Sequence, residues 1–512
     1  MTIFTQIKPS AYYDSIVLMQ AAKELIKFPG IQDAAVLMGT EANKSLLQQN
    51  KLFSQQVESA TSNDLIIAIR TSGDAQAAFD EVERLLSTKS TISEGGTYSP
   101  KTIRSAFKYH PESNVAIISI AGRYAAAEAY KALQQGLHVL LFSDNVALED
   151  EIALKRYAVE HGLFMMGPGA GTAIINGVGL GFANVLPQGP VGIVSAAGTG
   201  LQEVSTLLAK NGIGLTQGIG TGGRDLKKEV GGTMMLAGLK ALQSDKDSQV
   251  IILISKPPDD EVAEKIIAQV STCDKPTIIC FLGADLHLES KNIYPAGTLE
   301  EAACQAIMLV NSKNKHLKAF PKLNDKNINK LKVNLNPDQK YLRGLFSGGT
   351  LCYEAQVIWK QILQEPVFSN APLDDANQLP DSIRSQGHSA LDLGEEEFTV
   401  GRPHPMIDND LRMRRMLEEA KDPHVAVIML DVVIGYGAHP DPASELGQAA
   451  KEAIKLAEKN DRQLLIVASV TGTEEDPQKL SRTTQTLNQA GIIVCESNAA
   501  AARLSAAIVN RD

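Results

Sequence analysis

Two stretches of this 512-residue chain constrain its fold more than any others: "VGIVSAAGTGLQEV" (Val191–Val204) and "RGLFSGGTLCYEAQ" (Arg343–Gln356). Each is an apolar run that ends in a turn of small residues, and an amphipathic pattern begins at once. Apolar positions 201, 204, 207 and 208 share one helical face after the first turn, and 351, 355, 358 and 362 do so after the second. A buried strand that enters a helix through Gly-Thr (Gly198-Thr199; Gly349-Thr350) is the βα corner of a parallel sheet covered by helices. The chain contains this corner twice.

The surroundings repeat as well. The first corner is followed by "GTGGRDL" (Gly220–Leu226), a helix, the strand "QVIILIS", the loop "KPPDDE", a helix and the strand "TIICFLG". The second is followed by "TVGRPHPMID" (Thr399–Asp408), a helix, "VAVIMLDV", "IGYGAHPDP", a helix and "LLIVASVTGTEEDP". An irregular excursion, Glu365–Phe398, sits in the second copy alone. So long a period indicates duplication of a whole domain, not a solenoid. Upstream, the runs "NVAIISIA", "HVLLFS" and "LFMMG" alternate with amphipathic helices and read as a Rossmann-like parallel sheet. Residues 1–86 alternate short strands and helices, a small α+β unit.

The boundaries implied are 1–86, a Rossmann-like domain at 101–187, a first duplicated domain at 188–311, a lysine-rich linker at 312–340 and a second duplicated domain at 341–512. A net charge of −10 argues against nucleic-acid binding. The five cysteines form no CxxC pair and read as reduced core thiols. No basic-then-apolar leader and no run of about 18 apolar residues is present, which points to a cytoplasmic protein without membrane contact.

A helix N-terminus leaves N–H groups unpaired and carries partial positive charge, so each corner is a candidate anion site, phosphate being the usual guest. The residues in question are Ser195, Gly198, Thr199 and Gly200 at the first corner, and Ser347, Gly348, Gly349 and Thr350 at the second. The alternative is plain architecture, since tight βα turns favour small residues. A crevice beyond the Rossmann-like strands offers Ser143, Asn145 and Thr172 together with the amides of Gly169, Ala170 and Gly171. His404 and Asp408 in "GRPHPMID", with Asp431, His439 and Asp441, form a polar cluster suited to proton transfer by His404 or to Mg²⁺ held by Asp408 and Asp431. Arg224 and Arg402 suit a carboxylate or phosphate, or else a structural ion pair. No P-loop and no GxSxG elbow occurs, and the one GxGxxG (Gly218–Gly223) lacks a full preceding strand and the acidic residue about 20 positions on.

Together "VGIVSAAGTGLQEV", "GTGGRDLKKEVGG", "LISKPP", "FSGGTLC", "VGRPHPMID" and "LDVVIGYG" resemble the FdrA family, relatives of succinyl-CoA synthetase, over essentially the whole chain. The resemblance implies an α/β fold: a CoA-binding-type Rossmann-like domain, then two flavodoxin-like ligase domains whose paired helix N-termini hold phosphate between them. It also implies a subunit of an oxamate carbamoyltransferase, which converts oxalurate and phosphate to oxamate and carbamoyl phosphate. Phosphate would then be the co-substrate, small anions the substrates and other subunits the partners. On this view Arg224 or Arg402 meets the substrate carboxylate and His404 moves a proton. The chain departs from the synthetase in three places. The phosphohistidine loop is replaced by "ADLHLESKNIYPAGT", the glycine-rich turn that opens the CoA domain is absent, and no ATP-grasp domain is encoded. Two other readings stay open, an acyl-CoA synthetase with its ATP-grasp supplied in trans and a non-catalytic CoA- or metabolite-binding subunit.

Overall fold

The computed structural model describes the chain apart from residues 1, 10, 12, 14, 27, 41, 42, 45, 46, 49–51, 74, 89–99, 285–291, 312–324, 400–402, 511 and 512. It divides into two compact units, Met1–Ser99 with Glu395–His404, and Pro100–Gly394 with Pro405–Asp512.

In the first unit β1 (Thr2–Lys8), β2 (Ile31–Met38) and β3 (Leu65–Thr71) make an antiparallel sheet in the order β1-β3-β2. Helices α1 (Ser15–Ile26) and α2 (Ala75–Thr88) bury Leu18, Leu25, Phe79 and Val82 against one face of it. Leu47, Leu52 and Val57 cover the other. Strand β3 therefore reads as a near-continuous apolar run, "LIIAIRT".

The second unit opens with α3 (Ile103–Tyr109) and a three-stranded parallel sheet, β4 (Val115–Ile118), β5 (His138–Leu141) and β6 (Met165–Met166). Between the strands lie α4 (Gly122–Gln134) and α5 (Leu148–Glu160). The expected boundary at 187 is too late. β7 (Thr172–Ile175) and β8 (Val178–Gly181) form a hairpin that pairs antiparallel with β10 (Leu215–Gly220), inside the next sheet. Asn176 and Gly177 both take positive φ at its tip, as a two-residue turn between antiparallel strands requires.

That sheet adds β9 (Gln188–Ser195), β11 (Val250–Ser255), β12 (Thr277–Phe281) and β13 (Ile293–Pro295), in the order β13-β12-β11-β9-β10-β7-β8. Its helices are α6 (Gly198–Lys210), α7 (Thr233–Ser244), α8 (Asp260–Val270) and α9 (Leu299–Val310). The second copy holds β14 (Tyr341–Phe346), β15 (Val367–Ser369), β16 (His388–Asp392), β17 (Val425–Val433), β18 (Leu465–Thr471) and β19 (Ile492–Cys495), in the order β15-β16-β14-β17-β18-β19. With β9 and β14 superposed, each copy reads second-first-third-fourth-fifth strand, so the duplication is real and flavodoxin-like.

Two expectations need correcting here. The excursion Glu365–Phe398 is not irregular throughout, because it supplies β15 and β16, the counterpart of β10. The stretch 312–340 is not wholly a solvated linker, because α10 (Asp325–Lys332) buries Ile328 in the main core. Its outer face is lysine-rich, so the sequence reads as polar although one stripe packs.

The second copy's helices are α11 (Gly349–Ile362), α12 (Asp410–Lys421), α13 (Pro442–Glu458), α14 (Leu480–Gln489) and α15 (Asn498–Val509). Helices α6, α9, α11 and α15 pack between the two sheets in one continuous core around Leu207, Leu299, Leu351, Trp359 and Ala502. The fully buried Trp359 donates its indole N–H to the carbonyl of Ala502 at 3.1 Å.

Candidate functional site

The starts of α6 and α11 meet directly. A Cβ on Gly348 would lie 2.8 Å from Thr199 Cγ2 and 2.9 Å from its Oγ1. One on Gly200 would lie 3.0 Å from Thr350 Cγ2 and 3.0 Å from Ile254 Cγ2. Glycine at 348 is thus required by the contact, its φ of −108° being open to any residue. Neither helix carries a side-chain cap on its first amides.

The two starts differ in what lies against them. At α6, Ser195 is used locally: its hydroxyl accepts from Ala197 N–H at 3.0 Å and donates to the Ala197 carbonyl at 2.7 Å. A Cβ on Gly198 would stand 3.5 Å from Thr172 Oγ1 and 4.0 Å from the amide nitrogens of Gly171 and Thr172. The crevice loop and the start of α6 therefore converge, giving backbone amides from two segments around one point at the carboxyl ends of the strands. At α11 the place is taken from within. Asp431, fully buried at the carboxyl half of β17, accepts from Ser347 N–H at 2.7 Å, Ser347 Oγ at 3.0 Å and Gly348 N–H at 2.7 Å. Arg412 pairs with the same carboxylate at 3.2 Å. Asp392 Oδ2 occupies the place that a Cβ on Gly349 would need.

Ser347 and Gly348 are therefore not phosphate donors, because they are satisfied by a carboxylate of the chain itself. Asp431 is equally unsuited to Mg²⁺, its oxygens being committed to N–H, O–H and guanidinium donors. Asp408 turns back to accept from Asp410 N–H at 2.8 Å. Among the described residues no group of three or more His, Cys, Asp or Glu side chains is placed to hold a metal ion.

The crevice residues divide in the same way. Ser143 Oγ accepts from Ile120 N–H at 2.9 Å and ties the ends of β4 and β5 together. The amides of Gly169 and Ala170 donate to the carbonyls of Ser143 at 3.1 Å and Leu141 at 3.3 Å, so both are spent inside the fold. Asn145, exposed and at φ 59°, stands at the crevice rim. Gly171 and Thr172 are the crevice residues that stand beside the start of α6.

Arg224 has a structural partner, donating to the carbonyl of Val146 at 2.8 Å and pairing with the buried Glu151 at 2.9 Å. Lys155, also buried, bridges Glu151 and Asp225 at 2.8 Å each, and Asp225 accepts from Met235 N–H at 2.8 Å at the start of α7. The "GRD" of the first copy thus clamps α5 and α7 onto the loop beside the crevice. It does not present a free guanidinium. Arg402 lies outside the described residues, and His404 belongs to the first unit. His439 accepts from Asp441 N–H at 3.1 Å through Nδ1, and its Nε2 lies 3.3 Å from Glu445.

Sequence reasoning missed a reciprocal pair of carboxylates beneath the corners. Glu203, in α6, accepts from Asn498 N–H at 2.9 Å at the start of α15. Glu354, in α11, accepts from Leu299 N–H at 2.7 Å at the start of α9. Each is the sixth residue of its corner helix, and each caps the last helix of the other copy. Burial first, and Glu203 as a lesser cause, push the Glu354 carboxyl up to about 8. The matching spacing, Gly198 to Glu203 and Gly349 to Glu354, was the available signal.

Residues 345–508 match the CoA-ligase family, and residues 1–102 match the family described as "AllF, heavy metal-associated domain". The donor set in 1–102 does not suit a heavy metal, since those residues include no Cys and no His. Along 97% of both chains the sequence is 43% identical to the Escherichia coli uncharacterized protein YahF. It is 26% identical to the ADP-forming sulfoacetate-CoA ligase subunit SauD of Bilophila wadsworthia, over 39% of this chain and 68% of that one. It is also 26% identical to subunit alpha 2 of an Archaeoglobus fulgidus ADP-forming succinate–CoA ligase, over 33% of this chain and 58% of that one. No helix among the described residues is long and apolar enough to cross a membrane.

Proposed function

Because this chain belongs to the family of Escherichia coli YahF, within the succinyl-CoA synthetase superfamily, we propose that it is one subunit of an enzyme that transfers an acyl or carbamoyl group to phosphate at the start of α6. The reaction we favour is oxalurate with phosphate giving oxamate and carbamoyl phosphate. A phosphate oxygen attacks the ureido carbonyl, the C–N bond breaks, and the departing oxamate nitrogen takes up a proton. No nucleotide is consumed.

One observation carries this reading, namely the asymmetry of the twin corners. The α6 corner presents amides beside Gly171 and Thr172, whereas at the α11 corner Asp431 takes the amides of Ser347 and Gly348 that lead into the helix. A helix N-terminus stabilises a nearby anion by about 0.3–1 kcal/mol at an exposed site and more when partly buried. A second anion at α11 would meet Asp431 and Asp392 instead. A single cradle suits direct attack by one phosphate better than a phosphoryl group that shuttles between two. Preorganised amides also suit the oxyanion that forms in the attack. The two relatives named as ligase subunits favour a second reading, acyl-CoA formation with a nucleotide-binding subunit supplied in trans.

Both readings are tested in one assay on the chain purified with its co-purifying partners. Oxalurate and phosphate should yield carbamoyl phosphate without ATP or CoA. Product that appears only with ATP and CoA would overturn the transfer reading and favour the ligase.

A further inference from the structure

We infer that Lys256 is a substrate-binding residue of this site, the cation that meets phosphate held at the start of α6. The inference rests on the cradle proposed above and adds the charge that backbone amides alone do not supply.

Lys256 immediately follows β11, two residues after Ile254, whose Cγ2 touches the first turn of α6 at Gly200. Its ammonium nitrogen stands 5.5 Å from the centre of the Tyr353 ring, in the first turns of α11. Tyr353 in turn lies against Gly283, just past β12, with its hydroxyl 3.8 Å from where a Cβ would be. The half-buried Lys256 thus stands at the carboxyl end of β11 against the first turns of α11, two residues past the side chain that touches the first turn of α6. Open parallel sheets bind their ligands at this end of the strands.

Four buried cations of this unit have carboxylate partners, whereas buried Arg462 and half-buried Lys210 and Lys275 are held by backbone carbonyls. Lys155 pairs with Glu151 and Asp225, Arg343 with Glu419 and Asp422, Arg412 with Asp431, and Arg415 with Glu419. Lys256 has no ion-pair partner and no hydrogen-bond partner among the described residues; its ammonium stands over the face of the Tyr353 ring and near the buried Cys352 thiol, both in the first turns of α11. Asp431 is already matched by Arg412, so Lys256 is not that carboxylate's counter-ion. A cation–π contact positions an ammonium but leaves its N–H groups free to donate. The next two residues, Pro257 and Pro258, have no N–H, so this loop's offer to a ligand is concentrated in the lysine. A compact point charge on a flexible stem suits a phosphate oxygen that shifts as the carbamoyl group is transferred.

The test uses the full chain and inorganic phosphate, read by isothermal titration in low-salt buffer. Lys256→Met is expected to weaken binding at least tenfold with an unchanged unfolding midpoint, and Lys256→Arg to stay within about threefold of the original chain. Lys256→Met binding phosphate like the original would overturn the role of Lys256 and leave the cradle standing. Failure of the original chain to bind phosphate would overturn both. Should Lys256→Met not fold, site-resolved reductive methylation of the original chain decides. Slower modification of Lys256 with phosphate present, against an unchanged rate at Lys228, supports the role, and equal rates at both positions remove it.

Discussion

Gly348 and Asp431 decide what the twin corners are able to do. Thr199 occupies the space a Cβ on Gly348 would need, so Gly348→Ala must push the two helix starts apart. The expected cost is about 1–3 kcal/mol, the range for overpacking. Thr199→Ala made together with it should recover most of the loss, since the two changes act on one contact. Denaturant midpoints for the two single variants and the double variant check this, and additive losses would show that the contact is not the cause. Asp431→Asn removes the charge that matches buried Arg412 and turns an acceptor into a donor facing backbone N–H groups. Breaking a buried pair from one side costs on the order of 3–5 kcal/mol. A loss of unfolding free energy, extrapolated from urea melts, of less than a third of that would mean that Asp431 is a spectator.

At the scale of elements, each corner helix reaches across to cap the other copy's last helix through Glu203 and Glu354. Glu354 gives this device a pH dependence whose sign is fixed. Its folded value, about 8, lies above the ordinary 4.5, so between those values the folded state holds a proton that the unfolded state has lost. Its contribution to stability therefore falls as pH rises across that window, by an amount on the order of a few kcal/mol. Glu354→Gln, which cannot ionise, should become more stable relative to the original chain between pH 5 and pH 8. Unfolding midpoints measured across that range check it, and a constant difference would show that the carboxyl titrates normally.

The corners were legible because a βα turn under a buried strand needs small residues, and Gly-Thr appears in both copies. Their inequality was not legible, because Asp431 lies 83 residues from Gly348 and 84 from Ser347 and reaches them only through the sheet. The crevice amides failed for a related reason. Sequence shows that Gly169 and Ala170 carry donors, but not that Ser143 and Leu141 consume them. The hairpin β7–β8 was missed because its short strands, four residues each, directly follow a glycine-rich turn that read as loop.

For the molecule as a whole, the two flavodoxin-like copies share one core, so they are expected to unfold together in a single transition. The first unit has its own sheet and its own apolar clusters. Without Cys or His in 1–102 it should take up neither Zn²⁺ nor Cu⁺, and adding either should leave the unfolding midpoint unchanged. A stoichiometric metal found by elemental analysis and lost when residues 1–102 are deleted would contradict this. The duplicated architecture was the most legible part of the chain, since strand order follows from alternating apolar strands and helices with short right-handed connections. How much of it serves one anion is decided by residues far apart in sequence.

That division of labour between the corners is open to direct observation. Crystals of the full chain grown with tungstate in place of phosphate would locate the bound anion by its anomalous signal. A single peak is expected, within hydrogen-bond reach of the Thr199 and Gly200 amides and of Gly171 and Thr172. A peak at Gly349 and Thr350, alone or beside the first, would contradict a cradle that Asp431 has closed on one side.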